Sequence, residues 1–260
     1  MNKYLVAVLM TVSSLSVNAA SKCATVMEAI GGHAGLEAAL RTSVKPSGGP
    51  GNGGFDLHMW ATVVSDDGTV CAVAKTGSDI NDQWLGSRVI SAQKANTANA
   101  FSLQSALALS TANLWAPTQP GGSLFGLQFS NPVDTSVAYR GKSERFGTKK
   151  DPMNGKRIGG VNVFGGGLAL YNANGDMVGA IGVSGDSSCA DHNIAWRTRD
   201  ALGLDFVPAG LSTGDNIIFD LDANGMSKSG FGHPTCTGPE NVDVNNDVIK
   251  NHPLNLKPTL

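Results

Sequence analysis

Runs of apolar residues with different lengths and neighbours divide this chain into helical, extended and irregular stretches. "ATVMEAIGGHAGLEAALRT" (24–42) predicts a helix or a broken pair of helices. "PSGGPGNGG" (46–54) then reads as a loop. In "HMWATVVSDDGTVCAVA" two β-rich runs flank Asp67-Gly68, and glycine accepts the positive φ of a tight turn, so this segment predicts a hairpin. From Ser87 to Ala116 there is neither Gly nor Pro and alanine dominates. That stretch predicts helix, broken near Ser102 because some 30 residues exceeds a usual globular helix. Residues 117–160 are irregular. "VNVFGGGLALYNANGDMVGAIGV" (161–183) predicts a second hairpin turned at Asn174-Gly175.

"SCADHNIAWRTRDALGL" follows as a helix, with Ser187 or Ser188 as its cap, Asp191 in its first turn and Arg197 and Arg199 late in it. Beyond residue 205 only "NIIFDL" reads as a strand, and the rest is expected to wrap the surface. The fold class that emerges is α+β, an antiparallel sheet of two β-hairpins plus an extra strand, flanked by helices.

The first residues change the setting. Lys3, the short apolar run "YLVAVLMTV" and the small residues "SVNAA" read as a secretory signal peptide over residues 1–20, followed by a single domain over 21–260 with its core at about 56–205 and a wrapping tail at 206–260. The apolar run is too short to span a membrane. Losing Lys3 takes the basic residues from 19 to 18 against 21 acidic ones, and so small a charge excludes a global pull toward nucleic acid or an acidic membrane. In an oxidising compartment, periplasmic or secreted, the four cysteines favour disulfides. Three pairings are open, and Cys189–Cys236 with Cys23–Cys71 is preferred because each ties a terminal segment to the core. No C-x-x-C pair is present, which speaks against a redox or zinc motif.

The densest chemistry lies in "GVSGDSSCADHNIAW" (182–196). Its resemblance to a serine-protease nucleophile fails, because His192 is the only histidine nearby and the last glycine of G-x-S-x-G is missing. A helix cap explains the serines and Asp191 better, although the same N–H groups can hold an anion. No pair among His33, His58, His192, His233 and His252 has helical i,i+4 metal spacing. "DLDANG" (220–225) starts like a calcium loop but has Phe231 where the bidentate glutamate belongs, so an Asn-Gly turn accounts for it. Gly165, Gly166 and Gly167 would let a backbone or a flat ligand approach closely, or mark a bulge. Arg140, Lys142, Arg145, Lys149, Lys150, Lys156 and Arg157 crowd one loop, which either clamps a carboxylate ligand or pairs with the acidic tail.

"SAQKANTANAFS" (91–102), the glycine-rich "GGVNVFGGGLALYNANGDMVGAIGVSG" (159–185) and the following Asp191 together resemble the GlcG/HbpS-type haem-binding family, whose relatives include the C-terminal domain of PduO-type proteins. The resemblance covers roughly residues 56–205. It departs from the family pattern at Leu168, where members often carry proline, in the long loop 117–158 and in the tail. It implies an α+β domain that assembles into homo-oligomers, and haem or a related tetrapyrrole as cofactor.

The cofactor-binding residues expected are Gly165, Gly166, Gly167, Ser184, Gly185, Asp191, His192, Lys94 and His58, with no catalytic or metal-ligating residue. The function expected is an exported, non-catalytic binding protein for haem or a similar flat anionic cofactor. Two alternatives stand beside it: an enzyme acting on a small carboxylate or aldehyde through Asp191 and His192 as acid/base, and a ligand-free accessory subunit of an exported redox system.

Overall fold

The computed structural model describes residues 19–236 and 240–255. The expected signal peptide thus lies, as far as residue 18, outside the described residues. The first predicted helical stretch is a pair, α1 (Ala19–Ala29) and α2 (Gly32–Thr42), separated where Gly31 and Gly32 both take positive φ. The two predicted hairpins are β1 (Trp60–Ser65) with β2 (Val70–Lys75), and, further on, β3 (Gly167–Tyr171) with β4 (Met177–Ser184). Gly68 and Gly175 sit at φ 80° and 77° in their turns. The hairpins join through β1 and β4 into one antiparallel sheet of order β2-β1-β4-β3.

Alternation along β1 assigns its two faces. Met59, Ala61 and Val63 point into a core shared with Leu36, Leu40, Leu168, Ile181, Ile194 and Trp196. Trp60 and Val64 point the other way, toward Ala92, Ala95 and Ala98 of α3 (Ser87–Phe101). The sheet is therefore sandwiched between α1, α2 and α6 (Ser188–Ala201) on one side and α3 on the other. Strands buried on both faces read as near-continuous apolar runs, as these do. The approach of α3 is unusually close because β4 offers no side chain at Gly182: a Cβ there would meet the Ser91 carbonyl oxygen at 1.9 Å.

The predicted helix 87–116 ends at Phe101. Ser102 is extended, and its hydroxyl accepts the Leu109 N–H, a local bond that competes with helix continuation. Residues 111–114 form a 3₁₀ turn instead, under a Ser110–Asn113 capping box. The long loop that follows holds two single-turn helices, α4 (Leu127–Ser130) and α5 (Thr135–Ala138).

"NIIFDL" does not join the sheet. Residues 216–220 carry no strand pairing, and Leu221 makes only an isolated bridge to Ser227. The tail wraps α6, and it includes a helix the turn-rich sequence concealed, α7 (Glu240–Asn251), with Val248 buried against the core. Both preferred disulfides are present: Cys23–Cys71 ties α1 to β2, and Cys189–Cys236 ties the first turn of α6 to the tail. No helix among the described residues is long and apolar enough to cross a membrane.

Candidate functional site

The junction of β4 and α6 gathers most of the residues singled out in the sequence, and it is closed. Ser187 caps α6 by accepting the Ala190 N–H. Asp191, in the first turn, binds Lys94 Nζ at 2.6 Å and accepts the Asp186 N–H at 2.9 Å; Lys94 also donates to the Val183 carbonyl at 3.1 Å. Both side chains are buried. Burial pushes the Asp191 carboxyl up to about 6 against the opposing pull of Lys94, and pushes the Lys94 ammonium down. His192 is fully enclosed; its Nε2 lies 3.1 Å from the Ile217 nitrogen and 3.0 Å from Asn216 Oδ1, and its buried Nδ1 has no hydrogen-bond partner. Burial pulls that ring down to about 4. An acid/base role for Asp191 and His192 needs a substrate beside them, and here protein fills that space.

The glycines expected to cradle a ligand are taken up by the chain's own packing. A Cβ at Gly165 would meet Ser188 O at 2.5 Å, one at Gly166 would meet Val183 O at 2.5 Å, and one at Gly167 would meet Thr111 Cγ2 at 2.4 Å and Lys94 O at 2.5 Å. A Cβ at Gly185 would meet His58 O at 2.7 Å. Ser184 is buried at the end of β4. Close approach is real at these positions, but α3, α6 and the 3₁₀ turn make it.

His58 is different. Of the nine expected cofactor residues it alone is partly open to solvent, at the entry to β1. Asp186 builds that entry, since its carboxylate accepts the N–H groups of Phe55 and Leu57 at 2.8 and 3.1 Å. His58 Nδ1 lies 2.9 Å from Thr76 Oγ1, which also accepts the Met59 N–H. Nε2 has no protein partner among the described residues. The β1 entry also carries exposed apolar side chains: Phe55 (59%) and Trp84 (54%) meet edge to face with centroids 6.3 Å apart, and Leu85, next to Trp84 in the chain, is exposed too. Trp60 anchors this patch by donating its indole N–H to the Trp84 carbonyl at 2.9 Å. The aromatic pair went unnoticed in the sequence; Phe55 of "GGFDLH" and Trp84 of "DQWLG" are 29 positions apart and only the fold brings them together.

Flanking Thr76, Lys75 and Gly77 line an open cleft of about 310 Å³ along the outer edge of β2, with His33, Arg41, Glu37 and Lys149. Lys149 belongs to the basic loop. That loop is pinned by a buried ion pair between Arg88 and Asp151, with the Arg88 guanidinium over the Phe146 ring. Arg157 pairs with Asp67, and among the described residues no ion pair joins the loop to the acidic tail. At 220–225 the Asp222 carboxylate is occupied by the N–H groups of Asn224 and Met226, a turn rather than a calcium loop.

The model of a family described as haem degrading protein HbpS-like matches residues 55–199. The chain belongs to the HbpS-like family. Its matched region starts at Phe55 of the aromatic patch and ends at Arg199 of α6, so α1, α2 and the whole tail lie outside it. Among solved structures, the HbpS-like chain is similar to a crystal structure of a PduOC–heme complex, at TM-score 0.42 and 23% identity over 64% of this chain and 88% of that one. It is also similar to protein ORFY of Klebsiella pneumoniae, at TM-score 0.41 and 22% identity over 75% of this chain and 97% of that one. No curated protein matches it.

Proposed function

We propose that this HbpS-like chain is an exported, non-catalytic haem-binding protein, and that haem or a similar tetrapyrrole seats at His58 rather than at the glycine-rich turn. The observation that carries the reading is His58 itself. In the tautomer in which Nδ1–H donates to Thr76 Oγ1, the lone pair of Nε2 is directed away from the hydrogen-bonded side, the arrangement by which a second partner orients a metal-ligating imidazole. Phe55 and Trp84 offer the macrocycle an apolar, aromatic wall. Arg41, Lys75 and Lys149 outnumber Glu37 in the neighbouring cleft, which suits the propionates. Bound haem would supply an iron centre with its redox and axial-ligand chemistry; the protein's part is to orient, wall and anchor it. The sealed Asp191 and His192 support a binding role without turnover, and the two disulfides are compatible with export. In a homo-oligomer, a second copy would cover the solvent-facing side of the ring.

Titration of the purified protein with haemin is expected to shift the Soret band and saturate near one haem per chain. Trp84→Ala should weaken binding about tenfold, for the loss of roughly 1–2 kcal/mol of desolvated aromatic contact. The absence of a Soret shift at any ratio would refute the reading and favour a ligand-free accessory subunit.

A further inference from the structure

The tail delivers a second histidine to the start of α6, one that the spacing of sequence neighbours did not reveal. His233 and Cys236 form an H-x-x-C segment, "HPTC", and the Cys189–Cys236 disulfide docks it on the first turn of the helix. One ligand atom each from Cys189, His233 and Cys236 lies within 4.8 Å of the others. Around a tetrahedral ion with bonds of about 2.0–2.3 Å, donors stand roughly 3.3–3.8 Å apart, so side-chain rotation alone brings this set to bonding distance once the sulfurs part.

The histidine is already prepared. Its Nδ1 lies 2.7 Å from the Pro234 carbonyl, which can only accept, so the ring proton is on Nδ1 and Nε2 keeps its lone pair. A backbone carbonyl on the distal nitrogen is the usual support of a metal-bound imidazole. Nε2 now accepts from Ser188 Oγ at 2.8 Å, and that hydroxyl in turn accepts the Gly165 N–H. His233 is buried, and burial holds its ring neutral down to about pH 4. Cys236 is half-buried and accepts the Cys189 N–H at the α6 N-terminus, a position that favours thiolate.

We propose that Cys189, Cys236 and His233 constitute a redox-gated site for a zinc-class divalent cation, closed while the cysteines are joined and ligating once a dithiol has separated them. A reductant thiolate attacks the more accessible Cys236 sulfur and expels Cys189 as thiolate. The reductant's second thiol then displaces Cys236, so two electrons and two protons enter the protein and the reductant leaves as its own disulfide. The divalent ion displaces the two cysteine protons and takes Nε2 as third ligand. Ser188 Oγ or water completes four-coordination, giving an open site rather than a closed structural one.

The experiment uses Co(II) as a spectroscopic stand-in for zinc on the full chain, with and without prior dithiol reduction and removal of the reductant. Reduced wild-type protein should bind about one Co(II) with thiolate charge-transfer and tetrahedral visible bands, and oxidised protein none. His233→Ala should lose the tetrahedral bands or weaken Co(II) binding at least tenfold. The Cys23→Ser/Cys71→Ser variant should keep the bands, and zinc should displace the cobalt. Bands that persist unchanged in His233→Ala, bands that vanish without Cys23 and Cys71, or no Co(II) uptake by reduced protein would each overturn the proposal. So would a reduced chain whose far-ultraviolet circular dichroism collapses and is not restored by metal, which would make the bond a structural brace only.

Discussion

Asp215→Ala is expected to destabilise the fold by about 3–5 kcal/mol, because it strands a buried guanidinium. Arg199 donates to both oxygens of Asp215, at 2.7 and 2.8 Å, and neither side chain has any exposed surface. Its Nη1 also reaches the Ala169 carbonyl at 3.1 Å, and the plane lies over the Trp196 ring. Nε has no hydrogen-bond partner, so the guanidinium is already one acceptor short before the carboxylate is removed. The fall is a large part of the roughly 5–15 kcal/mol that holds a typical domain together, and corresponds to a melting temperature lower by on the order of 10 °C. Urea unfolding of Asp215→Ala and of an Arg199→Met/Asp215→Leu double variant separates charge burial from packing. The double variant should recover most of the loss, since removing both charges also removes the desolvation cost. A loss under about 1 kcal/mol in the single variant would mean that water reaches Arg199. The pair also joins the last family-matched residue to the tail, so the same result makes the tail part of the folded unit.

The second large effect is acid destabilisation centred on His192 and His233. Burial keeps both rings neutral in the folded protein down to about pH 4, whereas in the unfolded chain they take up protons near 6.5. Their stabilising contribution is complete above pH 6.5 and is lost as the pH falls toward 4, because over that window the unfolded state binds more protons. The ceiling is about 3 kcal/mol for each ring. Asp191 works in the opposite sense. Its carboxyl, raised to about 6, is protonated in the folded state before the unfolded one, and offsets part of the loss between pH 6 and 4. Denaturation midpoints at pH 7, 5.5 and 4.5 should therefore fall by the equivalent of a few kcal/mol, with a shallower slope in His233→Asn. A flat profile from pH 7 to 4.5 would contradict the enclosed placement of both rings.

How far the sequence disclosed this molecule depended on whether the deciding interaction was local. The hairpin turns were legible because Asp67-Gly68 and Asn174-Gly175 carry their own backbone preference. The cap at Ser187 and the first-turn Asp191 were legible for the same reason. The end of α3 was not, since it turns on a bond between Ser102 and a backbone seven residues on. α7 hid behind asparagines and aspartates that favour turns, although Val244 and Val248 form an i,i+4 apolar pair. Closely spaced glycines announced close approach without saying by what, and the answer is the protein's own helices. Ser188 looked isolated from any base except His192, yet its partner is His233, 45 positions away. The proposed haem site draws on both kinds of information: His58 was visible as a residue, but Phe55 and Trp84 meet only in three dimensions.

The account stands or falls on the ligation of haem by one imidazole. The decisive measurement is the visible spectrum and haemin affinity of His58→Ala, with and without added imidazole, against wild type. Loss of the wild-type Soret position, weaker binding by about tenfold or more, and recovery of the spectrum with imidazole are the results expected of an axial His58 Nε2. An unaltered spectrum and affinity in the variant would place haem, if it binds at all, somewhere else on this fold.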